Sequence, residues 1–251
     1  MFRHKGKSRS LRQNLGIASI LSFVAGIVNV VGFLAVQKLT TNVTGHFALM
    51  VEEALKINLH QSFYYFLYIF FFFLGSFCSN LIIQITEKLM DKYIFIIPVL
   101  SETVILTSIA LLSFDYILAN PNLIACSMLF AMGLQNSLVT TISSSAVRTT
   151  HLTGLFTDLG IEVSQLFFFR AKGQQAKLKA AIKLKLTIIT AFFLGGILAG
   201  LLYSEFKMKT LLIGSFTLLV GLIIDYINVQ IRLKKLKQKS MDPSRNFSQI
   251  D

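Results

Sequence analysis

Asn29, Glu102, Gln135 and Asn136 are polar side chains set deep inside long apolar stretches, and they are the first place to look for chemistry in this chain. A charge in hydrocarbon costs roughly 2.5 to 3.5 kcal/mol on the insertion scale, so intramembrane polar groups are candidates for handling a solute, an ion or a proton. An asparagine or glutamine offers a carbonyl acceptor and amide donors together. Asn29, Gln135 and Asn136 could therefore line a solute or cation site; equally, they could join helices by hydrogen bonds worth about 1 kcal/mol or less. Glu102 sits about nine residues into its apolar run, too deep to snorkel, and Leu212 occupies the matching place later in the chain. It is a candidate coupling group, or a structural carboxyl paired with neighbouring polar groups.

A second constellation is written twice. TTNVTGHF at 40–47 returns as TTHLTGLF at 149–156, with five of eight letters identical. In each copy a Thr-Gly pair, Thr44-Gly45 and Thr153-Gly154, precedes an apolar helical stretch. Free amides at a helix start carry a partial positive charge that holds anionic groups. The alternative is an N-cap without ligand, Thr44 serving in that role in the first copy. Glu53 and Glu162 follow at the same offset of 109, with Glu52 and Asp158 close by. They are positioned to attract a coupling cation or to pair with Arg148 or a basic loop, unless they are simply solvated faces of interfacial helices.

Enzymatic chemistry has little to stand on. No nucleophile, base and orienter group together, and neither a P-loop nor GxGxxG occurs. The histidines, His4, His46, His60 and His151, make no metal-ligand spacing, and Cys78 and Cys126 fall singly inside apolar runs as packing residues. No metal or cofactor is expected.

These residues need a scaffold, and the composition dictates its kind. With 54% hydrophobic and 14% charged residues over 251, the chain has more apolar surface than one soluble core hides. Crossing roughly 30 Å of hydrocarbon takes about 20 helical residues. Six runs qualify: 15–36, 62–85, 93–114, 122–142, 186–204 and 210–230. The first follows a basic stretch but is read as a retained span, because its counterpart lies mid-chain.

The duplication extends beyond the octets. AGIVN at 25–29 matches AMGLQN at 131–136, FFLG at 72–75 matches FFLG at 192–195, and Asp115-Tyr116 matches Asp225-Tyr226. The expected architecture is an all-α polytopic membrane protein of six spans in two three-helix repeats. The chain divides into a basic amino terminus (1–14), repeat one (15–118), repeat two (119–230) and a basic tail (231–251). Three spans per repeat place the second copy upside down relative to the first, with helices broken after spans one and four. Inverted repeats of this kind recur in secondary transporters, whose sites form at interrupted helices. Small residues at Gly75, Ser76 and Ser79 and at Gly195, Gly196, Ala199 and Gly200 mark close-packing faces. Spans two and five are expected to cross there, or to form a homodimer. The phenylalanines at 66 and 70–73 read as lipid-facing or gap-filling bulk.

Placement of charge matters more than the net +12. Of 24 Lys and Arg, 20 fall on the side of the amino terminus and only Lys38, Lys56, Lys207 and Lys209 on the other. The positive-inside rule, read as the orientation signal of an inner-membrane protein, puts both termini in the cytoplasm. The basic runs set topology and are also suited to anionic lipid head groups. They lack interleaved aromatics, so nucleic acid is not an expected partner.

GIVNVVGFL with TTNVTGHF, and AMGLQN with VRTTHLTGLFTDLG, resemble the YoaK-like family of bacterial membrane proteins, a domain of unknown function, from about residue 15 to 230. The resemblance implies a polytopic inner-membrane protein without an assigned activity. In that family Asp usually stands where this chain has Asn29, and Asn where it has His46. The expected function is binding or movement of a small solute between spans one and four. The alternative is a non-transporting scaffold that organises lipid or a partner.

Overall fold

In the computed structural model, which describes residues 10–89, 95–143, 145–169 and 171–240, all regular structure is helical. The elements are α1 (Leu11–Val36), α2 (Thr44–Leu55), α3 (Leu59–Leu89), α4 (Ile96–Ala110), α5 (Phe114–Ala119), α6 (Pro121–Ser143), α7 (Leu152–Phe168), α8 (Lys172–Phe206) and α9 (Leu211–Ser240). A short 3-10 turn, Lys207–Thr210, joins the last two. The basic residues Arg3, Lys5, Lys7, Arg9, Lys92 and Arg170 and the chain beyond 240 lie outside the described residues.

Among the described residues, four stretches are long and apolar enough to cross a membrane: α1, α3, α6 and the 56 residues Lys172–Ile227. The last contains both α8 and α9, divided at the turn. Only α4 falls short of its apolar run, at 15 residues against the 22 expected. Ser113 ends it by capping a new helix, its side chain accepting from the Tyr116 amide.

Local signals place the ends. Ser10 and Gln13 form a reciprocal capping box at the start of α1, and Gln37 stops it in the left-handed region at φ 53°. Ser145, at φ 64°, follows the end of α6 in the same way. Pro121 stands at the first position of α6, where its missing N–H is not needed.

Two helix pairs form the centre, α1 with α8 and α3 with α6. At the first crossing a Cβ added at Gly26 would lie 2.0 Å from Phe192 O, and one at Gly195 would lie 2.0 Å from Phe23 O. At the second, a Cβ at Gly75 would lie 2.1 Å from Phe130 O and one at Gly133 2.2 Å from Phe72 O. Backbones approach this closely only where both helices present glycine. Spans two and five therefore do not make the crossing expected of them. Their small faces are occupied inside the chain, each by the first helix of the other half.

The directions are readable from the contacts. Gly195 meets Phe23, while Gly196 and Gly200 meet Val30, so α8 runs parallel to α1. Tyr68 bonds Asn122 and Ser76 bonds the Gly133 carbonyl, so α3 runs parallel to α6. Gly214 lies on Val24 and Ile27 and Gly221 on Ile20, so α9 runs antiparallel to α1.

The short helices lie outside this centre. α2 packs on α3 and α7 on α8, and each buries a single side chain, His46 in α2 and Leu155 in α7. Phe66, Phe70 and Phe73 are exposed, while Phe71 and Phe72 pack partly against the core.

Candidate functional site

Asn29 faces the break that follows its own helix. Thr41 donates to Asn29 Oδ1 at 2.7 Å, and Thr40 donates to the Val28 carbonyl at 3.0 Å. The fold-back is tight enough that a Cβ at Gly32 would lie 2.4 Å from Thr40 Oγ1. The helix that follows is not capped as expected. Val43, without a side-chain hydrogen bond, occupies the cap, and Thr44 is already helical. The Gly45 amide is engaged by Asn42 Oδ1 at 3.4 Å, so it is not open to an anion.

Asn136 does the same work with more partners. Its Oδ1 accepts from Thr149 at 3.3 Å and Thr150 at 3.0 Å, and its amide donates to Met132 O at 3.0 Å. Gln135 donates to Thr149 Oγ1 at 3.2 Å and, across the two halves, to the Leu21 carbonyl of α1 at 3.0 Å. Gln135 Oε1 is buried without a partner. Thr153 and Gly154 lie exposed in the first turn of α7, behind His151, which gives no side-chain cap. A Cβ at Gly154 would meet nothing within 4 Å.

Asn29 and Asn136, candidates for lining one site, are each tied to threonines of their own half, and no hydrogen bond joins them. The two breaks are thus latched shut by the first two letters of the octets, Thr40-Thr41 and Thr149-Thr150. The Thr-Gly pairs singled out in the sequence lie beyond the latch. The identical TT at both places was the available signal.

His46, which makes no metal-ligand spacing in the sequence, is the buried anchor of α2. Its Nε2 lies 2.6 Å from Leu39 O. A carbonyl only accepts, so Nε2 carries the proton and buried Nδ1 is left without a partner. The ring stacks on Tyr65 at 6.0 Å and tilts against Tyr68 at 5.0 Å, and Lys38 Nζ sits 5.2 Å from the Tyr65 ring centre. Burial holds the His46 pKa below its ordinary value, against the Leu39 bond and with help from Lys38. Burial and Arg148 lower that of His151 in the second break.

The acidic pair divides. Glu53 bonds Lys56 at 3.1 Å and Asn58 at 2.7 Å within its own turn, and Lys56 holds its carboxyl below the usual range. Glu162 reaches across to Lys185 at 2.5 Å, clamping α7 to α8. Glu102 stands apart from both. It is fully buried on α4, and neither carboxyl oxygen has a hydrogen-bond partner.

Long apolar helices around buried polar latches define a helical membrane protein. Over residues 17–224 the chain matches the family described as protein of unknown function (DUF1275), and it belongs to that family. No curated protein and no solved structure matches it.

Proposed function

We propose that the chain is a six-span, carrier-like protein of the bacterial cytoplasmic membrane, with two three-span repeats of opposite orientation, that binds a small solute inside the bundle. The observation that carries the reading is the reciprocal exchange at the four glycines. The first helix of each half lies alongside the second helix of the other, in the same direction, on matching Phe and Gly residues. Successive spans of one half point opposite ways, so this exchange needs the second half to enter from the other side. The distribution of basic residues supports cytoplasmic termini, and the likeness to YoaK-like membrane proteins supports the location.

Within the bundle, the open polar atoms among the described residues are both oxygens of Glu102, Oε1 of Gln135 and the hydroxyls of Ser22, Ser79 and Thr210; Glu102 and Gln135 lie on α4 and α6, which pack together. An unpaired buried carboxylate is costly. A solute or coupling ion that donates hydrogen bonds or carries positive charge answers that need. Asn29 and Asn136, with Thr40-Thr41 and Thr149-Thr150, then serve as latches that a transport cycle opens, and Glu53 and Glu162 secure the short helices.

The test is thermal stabilisation of the purified full chain against a library of small metabolites and cations, since a ligand of the folded state raises stability by mass action. A donor-rich or cationic ligand whose effect is lost in Gln135→Leu and Glu102→Gln supports the site; equal stabilisation of both variants places binding elsewhere. Orientation is tested separately by thiol labelling from outside the cell, which should reach Ile57→Cys and not Arg3→Cys or Ser240→Cys. A non-transporting scaffold is the second reading. It is favoured by the engagement of both asparagines in structural bonds, and it holds if no solute stabilises the protein while lipids do.

A further inference from the structure

A groove of about 740 Å³ opens on the side of the bundle between α1, α8 and α9, with Leu166 of α7 at its edge. Its two ends differ in character. Lys179 and Lys183, one turn apart on α8, stand at one end, both exposed. Among the described residues neither makes an ion pair, whereas Lys185 nearby is taken by Glu162. From Lys183 the groove continues past Leu186 and Ala191 to Leu194, with Ile20 and Phe23 opposite. At about 1.5 Å per residue the distance from Lys183 to Leu194 is roughly 16 Å, about the depth of one leaflet of a hydrocarbon core near 30 Å.

Of the four hydroxyls in the wall, only that of Thr190 is without a hydrogen bond among the described residues. Ser19 donates to Leu15 O at 2.9 Å, Thr187 to Lys183 O at 2.8 Å and Thr217 to Ile213 O at 2.7 Å, each on its own helix. The groove therefore offers apolar surface along its length and unpaired positive charge only at its mouth. A polar solute would find few partners inside, and a neutral lipid would leave the two ammonium groups unanswered.

We infer that this groove is a binding site for one anionic phospholipid, its phosphate between Lys179 and Lys183 and an acyl chain lying along α8 toward Leu194. The site does not depend on whether the protein transports.

The test uses the purified full chain in detergent, titrated with phosphatidylglycerol or with phosphatidylcholine of the same acyl chains. Bound lipid is read by native mass spectrometry and stability by thermal unfolding. Phosphatidylglycerol should bind and raise Tm, with phosphatidylcholine at least about tenfold weaker. Each lysine facing an anionic head group contributes roughly fivefold, so Lys179→Gln with Lys183→Gln should weaken phosphatidylglycerol roughly 30-fold and abolish the preference. Lys172→Gln with Lys177→Gln, on the same helix but away from the groove, should leave both. Ala191→Phe, which fills the groove, should weaken both lipids. Unaltered binding by the 179/183 variant or by Ala191→Phe, equal affinity for the two lipids, or equal stabilisation by inorganic phosphate would each overturn the assignment. So would a dimer whose contact closes the groove and leaves no lipid bound.

Discussion

The two breaks are built to one plan and finished differently. In the first, Asn29 accepts one hydroxyl, and the buried anchor of the short helix is a histidine with an open ring nitrogen. In the second, Asn136 accepts two hydroxyls, Gln135 adds a bond to the opposite half, and the anchor is Leu155 at the position matching His46. The third helices differ too: α4 stops at Ala110 and restarts as α5, whereas α9 runs unbroken from Leu211. What both halves keep is the pair of glycine crossings. Backbone proximity leaves no room for drift, while a polar latch can gain or lose a partner and still close the same turn.

Glycine at the crossings should give the largest effect. Gly26→Ala, Gly75→Ala, Gly133→Ala and Gly195→Ala each drive a methyl against a backbone carbonyl, and each should cost about 3 kcal/mol or more in unfolding free energy. Gly154→Ala, with open space around it, should be neutral or stabilise by up to about 1 kcal/mol. A large loss at Gly154, or tolerance at one crossing only, would break the comparison.

Removal of the latches comes next. Asn136→Leu leaves two threonine hydroxyls without their acceptor and should cost about 2 kcal/mol, against about 1 kcal/mol for Asn29→Leu. Equal losses in chemical unfolding would mean that the extra bonds of the second break contribute nothing. Among the acids, Glu162→Gln loosens a partly buried clamp and should cost roughly 1 kcal/mol. Glu53→Gln, as buried as Glu162 but bonded only within its own turn and to the exposed Lys56, should shift the unfolding transition less.

The smallest effect at neutral pH concerns His46. Its folded pKa is lowered, so the fold favours the neutral ring; this contribution is complete above about pH 6.5 and is lost as pH falls toward the lowered value. The groups facing it are Lys38, Tyr65 and Tyr68, none of which offers a charge to offset protonation. His46→Leu, which copies Leu155, should flatten the loss of Tm between pH 6.5 and 5. His151, on the exposed loop and shifted the same way, should contribute less. A slope unchanged by His46→Leu would remove the histidine from the account.

Much of the helical layout was legible because apolar length is a strong signal. The runs at 15–36, 122–142 and 210–230 start within four residues of α1, α6 and α9. α8 begins well before its run because the basic stretch from Lys172 continues the same helix. The small residues at Gly75 and Gly195 announced close contacts but could not name the partner, which depends on how the two halves interleave. The latches were half visible. Asn29 and Asn136 stood out as costly residues, yet their partners lay twelve and fourteen positions away across a turn whose geometry no local propensity sets. His46 was missed because a lone histidine carries no spacing pattern, and its role comes from the tyrosines of α3.

The glycine crossings also restrict how this molecule can move. Each weds two rods at backbone distance over about a turn, so α1 with α8 and α3 with α6 must travel as stiff twin units. In the carrier reading proposed above, a gate opens by one twin rocking against the other where α6 meets α1 through Gln135 and α4 meets α9, with the threonine turns stretching as the straps between them.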